Sequence, residues 1–320
     1  MSVEHGSANF NRGVKAMDGI LVIDKPAGWT SHDVVARVRR VLGERRVGHT
    51  GTLDPFATGV LVLLVGRATR LAQFIVGAEK EYQAVIRFGY ATETGDLTGA
   101  ARAPKIACPE WTTQEIEAAL RSLRGEIEQV PPMHSAKKIG GRRLYELARR
   151  GECVERPAVR VVVHEFEALS DDGAWLVRND DGTCDLRVRV RCSAGTYVRA
   201  LAEDLGARLG AGAHLRWLRR TRAGAFGLDV ALTLDELEAA ADPREKLLPM
   251  EAALRELPSV HLTESQARRI VHGAAVRWTT PSAGRDQLVC VYGEDGRLMA
   301  VGECAGGQLR PRVVLEEKLT

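Results

Sequence analysis

No Cys-x-x-C pair occurs in this chain, and its six cysteines (Cys108, Cys153, Cys184, Cys192, Cys290 and Cys304) are scattered without paired Cys/His ligand spacing. That absence argues for a reducing compartment and against a zinc module. Apolar runs of membrane-spanning length are also missing. Residues 1–17 are polar and lack the apolar segment of a signal peptide, so they read as a frayed tail and the chain is expected in the cytoplasm. With 320 residues and ordinary hydrophobic (45%) and charged (27%) fractions, the sequence has room for two globular domains.

Net charge of one sign is lacking too, since the formal balance is only +3. Its distribution is uneven. Between residues 137 and 150, Lys137, Lys138, Arg142, Arg143, Arg149 and Arg150 face Glu146 alone. Between 186 and 222 there are nine arginines against Glu203 and Asp204, whereas 229–257 carries eight acids and three bases. Two basic blocks in a nearly neutral chain are the footprint expected of a phosphate-backbone binder, although such runs are also found as ordinary solvated faces.

What is present most conspicuously is Gly48-His49-Thr50-Gly51-Thr52-Leu53-Asp54-Pro55-Phe56-Ala57-Thr58-Gly59. One carboxylate is surrounded by glycines, a proline and small hydroxyl residues, a composition that positions an acid and does not build a core. Pro55 disfavours the α conformation at Asp54. Two readings fit: Asp54 as the N-cap of a helix with Pro55 at its first position, or Asp54 as a catalytic carboxylate at a loop apex. They are compatible, because a helix N-terminus favours the ionised acid.

Elsewhere, Ile20-Leu21-Val22-Ile23 reads as a buried strand. Thr30 and Asp33 form a capping box for a helix burying Val34, Val35, Val38 and Leu42 and ending at Gly43. Residues 81–89 alternate as a strand, 113–124 as an amphipathic helix, and 186–192 as a strict apolar/Arg strand. A helix is expected from Thr196, placing Tyr197 and Arg199 in its first turn, where a cation is disfavoured and calls for an anionic partner. Residues 130–157 read as a long basic loop or inserted hairpin. Residues 242–258 read as a linker, followed by a helix from Thr263 to Val271 and three short strands suggesting a small β-barrel.

The acid loop, with Lys80-Glu81-Tyr82, Gly195-Thr196-Tyr197-Val198-Arg199 and Gly212-Ala213-His214-Leu215-Arg216-Trp217-Leu218-Arg219-Arg220, closely resembles the TruB family of bacterial tRNA pseudouridine synthases. The likeness runs from about Gly19 to Arg222. The segments 262–270 and 307–315 resemble a bacterial PUA RNA-binding domain. The resemblance implies an α+β fold: a catalytic domain (18–245) with a large mixed, mainly antiparallel sheet flanked by helices, a thumb-like insertion (130–157), and a PUA-like barrel (258–320). It implies isomerisation of uridine 55 in the T loop of tRNA by a monomer that needs no metal or cofactor and no membrane.

By that resemblance Asp54 is the catalytic carboxylate, acting at C1′ or on the C2′ proton, and Arg199 pairs with it and keeps it ionised. Tyr82 stacks on the extruded uracil, Tyr197 and Leu218 line its pocket, and His49 fills the space left in the T loop after base flipping. Lys25, Arg70 and Lys137 stand at places of phosphate or substrate contact, with Arg70 replacing a lysine of some relatives. Two competing readings are a catalytically silent RNA-binding protein of the same fold and a glycoside or nucleoside hydrolase. The latter wants a second acid, for which Glu79, Glu81 and Asp96 are the candidates.

Overall fold

The computed structural model describes residues 17–135, 137–148, 150–152, 154–170, 173–278 and 287–316. Residues 1–16 of the expected tail, Cys153 and Arg149 lie outside them. The apolar strand Gly19–Lys25 pairs antiparallel with Thr58–Val65. Both are buried along nearly their whole length, as strands covered on two faces must be. Leu21, Ile23, Leu61, Leu63 and Val65 pack on Val34, Val35, Val38 and Leu42 of the helix Ser31–Leu42. That helix begins with the Thr30/Asp33 capping box and ends at Gly43, whose φ of 66° is left-handed. The alternate residues Ile20, Val22, Val60, Val62 and Leu64 share a second core with Leu298, Val301 and Val313 near the C-terminus.

These two strands open a ten-stranded sheet, continuing through Ala213–Ala223, Lys80–Phe88, Cys184–Cys192, Val159–Ala168 and Gly125–Gln129. Pairing is antiparallel except between Thr58–Val65 and Ala213–Ala223, where Arg219 faces Thr58 and Arg220 faces Gly59. Gly59 has φ +101°, and a Cβ there would come within 2.2 Å of the Arg220 carbonyl oxygen. Only glycine permits this approach. The helices Thr113–Arg121 and Val198–Arg208 cover the far half of the sheet, over Ile86, Phe88, Leu186 and Val188.

Three expectations need correction. No helix follows Asp54-Pro55: Ala57 N–H donates to the Asp54 carbonyl (3.1 Å) in a turn, and the valine-rich run continues as a strand. Asp54 therefore caps nothing. The segment 242–258 is not a free linker, because Leu248 exchanges both backbone hydrogen bonds with Ile20 and Ala252 and Leu254 are buried. The arginine block 186–222 is largely neutralised. Arg189 and Arg191 pair with Glu165, Glu167 and Glu79, Arg216 with Asp185, and Arg219 with Asp24.

Residues 130–157 contain the hairpin Lys138–Ile139 with Arg142–Arg143 and a short helix Leu144–Ala148. Toward the C-terminus, Ser259–His261, Gln287–Tyr292, Leu298–Ala305, Gln308–Val314 and Val276–Arg277 form, in that spatial order, a five-stranded sheet. It curls into a half-barrel covered by the helix Glu264–Val271, which Thr263 caps as expected. No helix among the described residues is long and apolar enough to cross a membrane.

Candidate active site

The segment between strands Val47–His49 and Thr58–Val65 carries Asp54 and is tied down at nearly every peptide. Ser31 Oγ accepts from Leu53 N–H (2.9 Å) and donates to the Leu53 carbonyl, while Gly28 N–H donates to the Pro55 carbonyl (2.8 Å). Lys25 Nζ donates to the carbonyls of Trp29 (2.7 Å), Pro26 (2.9 Å) and Pro55 (3.3 Å). Lys25 is fully buried, and desolvation lowers its pKa to about 8. Lys25, expected at a place of phosphate or substrate contact, is here a buried strut that holds the acid loop against the first strand.

Arg199 is the second residue of the helix Val198–Arg208 and is 5% exposed. Its Nε and Nη2 meet Asp54 Oδ2 and Oδ1 at 2.9 and 3.1 Å, a two-pronged pair. The same guanidinium donates to the carbonyls of Thr94 (2.9 Å) and His134 (2.8 Å) and lies 3.8 Å from Asp96. Asp96 is buried and accepts from Thr94 Oγ1, Thr98 N–H and Thr98 Oγ1. The arginine therefore has one fixed position, set by carbonyls and a second acid, from which it orients Asp54.

Arg199 does not hold Asp54 below the ordinary carboxylate range. Burial pushes the Asp54 pKa up and outweighs Arg199, with the Asp96 charge adding to the rise and Lys25 opposing it. Arg199 is the largest influence opposing that rise and so favours the ionised acid, while the Asp54 side chain keeps 30% of its surface exposed toward the openings.

Asp54 and Arg199 stand at the junction of two openings. One is a cavity of about 260 Å³ lined by Tyr82, Leu218, Tyr197, Lys137, Lys80 and Arg220. The other is a cleft of about 800 Å³ lined by His49, His32, Phe56, His134, Lys138 and Tyr145. Tyr82 faces Arg220 across the register of their strands, and burial raises its phenol pKa. His49 stacks edge-to-face on His32 with 5.6 Å between ring centroids, and burial, with His32 and Arg220 adding, lowers its pKa to about 4. Its imidazole is neutral at pH 7.

Arg70 lies elsewhere. Its Nη1 donates to the Val314 carbonyl (2.8 Å), in a groove shared with Arg46 and His272 beside the C-terminal sheet. Of the acids considered as second carboxylates, Glu79 is on the surface with Arg191 and His164, and Glu81 accepts from Thr221. Asp96 alone is near Asp54, and it is occupied by two threonines. Sequence reasoning passed over Lys80 and Arg220 as site residues, which are 8% and 2% exposed beneath the cavity. Their place beside Tyr82 and Leu218 in two motifs was the available signal.

Residues 39–198 match the profile of the TruB family pseudouridylate synthase (N terminal domain), and 199–255 that of the tRNA pseudouridylate synthase B C-terminal domain. Residues 258–315 match Pseudouridine synthase II TruB, C-terminal. A tRNA pseudouridine synthase B of Thermobifida fusca is 48% identical, covering 93% of this chain and 98% of the relative. One from Aromatoleum aromaticum is 46% identical over 96% and 95% of the two chains. Among solved structures, a chain of a Cbf5-Nop10-Gar1 complex superposes with a TM-score of 0.70 at 28% identity, covering 94% of this chain and 86% of that one. A chain of an H/ACA RNP bound to a substrate RNA containing 2′-deoxyuridine gives 0.68 at 26% identity, with the same coverage. A carboxylate held by a buried arginine at the mouth of a tyrosine-floored cavity thus sits inside a matching fold and matching profiles, and the chain belongs to the TruB family of pseudouridylate synthases.

Proposed function

We propose that this protein converts uridine 55 in the T loop of tRNA to pseudouridine, with Asp54 as the catalytic carboxylate. The observation that carries this reading is the Asp54–Arg199 pair facing a cavity lined by Tyr82 and Leu218. The target uridine is flipped out of its stack at a cost of a few kcal/mol. Its uracil enters the cavity between Tyr82, Tyr197 and Leu218, and its ribose meets Asp54. The carboxylate acts as nucleophile at C1′ or as base at C2′, and the N1–C1′ bond breaks. The uracil turns and C5 joins C1′ as Asp54 departs from C1′ or the proton returns to C2′, and the C5 proton is then replaced by one on N1, with Tyr82 beside the ring.

His49 and the larger cleft receive the RNA loop from which the base has been taken. Residues 18–245 form the catalytic domain and 258–320 a PUA-like RNA-binding domain. The chain acts as a monomer in the cytoplasm, with tRNA as its partner. The silent-binder reading is disfavoured by a complete Asp54, Arg199 and Tyr82 constellation. The hydrolase reading is disfavoured because Glu79 and Glu81 are engaged away from Asp54, and Asp96, the candidate acid near it, is fixed by Thr94 and Thr98 through Oδ1 with Arg199 3.8 Å from Oδ2.

A T-arm hairpin tritiated at uracil C5 separates the three readings. Isomerisation gives tritium release without free uracil, hydrolysis gives free uracil, and a silent binder gives neither. The second outcome or the third would overturn the assignment.

The insertion contributes binding through charge. Lys138, Arg142 and Arg150 are exposed, so reversing these three to glutamate is expected to weaken tRNA binding and flatten its salt dependence. The single-turnover rate at saturating tRNA should change far less. Unchanged affinity across a salt titration would return this face to ordinary solvated surface.

A further inference from the structure

Lys80 opens the strand Lys80–Phe88 two residues before Tyr82, so the two side chains fall on the same face. Its Nζ donates to the carbonyls of Val76 (2.8 Å) and Ala78 (2.5 Å). An ammonium has three N–H donors, and Lys80 lines the cavity with one of them unspent. Arg220 lies beside it. That guanidinium is held by the carbonyls of Val60 (2.7 Å), Gly51 (3.0 Å) and Thr52 (3.4 Å). Gly51 lines the same cavity, and a Cβ there would be in ordinary contact with Lys80 Cε (3.7 Å) and Arg220 Nη1 (3.6 Å).

Two neighbouring buried cations bonded to carbonyls are expensive unless an anion compensates them. Burial, with Arg220 next, lowers Lys80 to about 8, which leaves the ammonium form prevailing at pH 7. Arg199 is already committed to Asp54. Neither Lys80 nor Arg220 has a carboxylate partner among the described residues, so both cations stand ready for negative charge brought into or formed in the cavity they line.

We infer that Lys80, backed by Arg220, is a catalytic residue that stabilises the negative charge developing on the uracil ring as the N1–C1′ bond breaks. The inference rests on the pseudouridylation reading above. Whichever way Asp54 acts on the ribose, the electron pair of the broken bond leaves with N1 and spreads to O2 and O4. Lys80 donates an N–H to one of these oxygens and keeps its proton. When C5 joins C1′ the ring is neutral again, and transfer of the C5 proton to N1 completes pseudouridine.

The test compares Lys80→Met with the unaltered protein under single turnover, on T-arm hairpins with uridine or 5-fluorouridine at the target. Consumption of the target nucleoside is read by chromatography after digestion. On uridine the variant is expected to be slower by about 10²–10³, the effect of removing one charge-stabilising donor. Hairpin affinity should stay within about threefold, because the interaction is made in the transition state. Fluorine stabilises the same anion without help, so the loss on 5-fluorouridine should be at least about tenfold smaller. Should Lys80→Met fail to fold, Lys80→Gln carries the same comparison.

An equal loss on both substrates would make Lys80 a mere brace for Val76 and Ala78. A loss below about threefold on uridine would also overturn the inference. Absence of pseudouridine with the unaltered protein would sink the parent reading instead.

Discussion

Asp54→Asn is expected to cut the single-turnover rate of pseudouridine formation by about 10⁴-fold or more, the scale on which removal of a nucleophile is felt. Asparagine matches the shape of the carboxylate but carries no charge, and it can neither attack C1′ nor take the C2′ proton. Binding should survive. Arg199 keeps its bonds to the Thr94 and His134 carbonyls and its proximity to Asp96, so the cavity wall stays in place. The Kd for tRNA, measured by filter binding beside the rate, should therefore stay within about threefold. Turnover within about tenfold of the unaltered protein would show that another group does the chemistry.

Arg199→Gln is expected to cost about 10²–10³ in rate at pH 7, and part of that loss should return as pH is raised. The sign follows from the forces on Asp54. Burial raises its pKa and Arg199 is the largest opposing influence. Without the guanidinium the pKa climbs further, less of the acid is ionised at pH 7, and the acidic limb of the rate profile moves to higher pH. A single-turnover profile between about pH 5 and 9 gives the shift directly. A limb that stays in place would mean that Arg199 orients Asp54 without governing its charge. Recovery at high pH should also be incomplete, because the fork that aims the carboxylate at the ribose is gone.

Much of this arrangement was legible in the chain because the signals were local. Thr30 with Asp33, the alternation from Leu186 to Cys192, and an arginine in a helix's first turn each have a short-range physical cause, and each has its counterpart in the fold. Failures came where a neighbour distant in sequence decides. Asp-Pro before a valine-rich run is consistent with a helix start, but the run's pairing with Gly19–Lys25 makes it a strand. The block 186–222 reads as part of a phosphate-binding footprint, but its Arg189 and Arg191 pair with Glu167 and Glu165 on the next strand. Lys25, Lys80 and Arg220 were hardest of all, because a buried cation contradicts what residue type implies about position.

The parallel pairing of Thr58–Val65 with Ala213–Ala223 also sets when the enzyme becomes one during synthesis. Asp54 leaves the ribosome 145 residues ahead of Arg199, roughly 7 to 30 s at ordinary elongation rates. Throughout that interval the acid loop has Lys25 and Ser31 to fasten it, but neither Arg199 nor the strand bearing Arg220. Closing so long a loop is slow and is rewarded only when the strand pairs. A chain stopped short of that strand holds most of the sheet and Asp54, yet lacks the strand bearing Leu218 and Arg220 that line the cavity. Competence therefore arrives late, after which residues 224–258, which pair with and pack on the first strand, and the C-terminal sheet remain to dock.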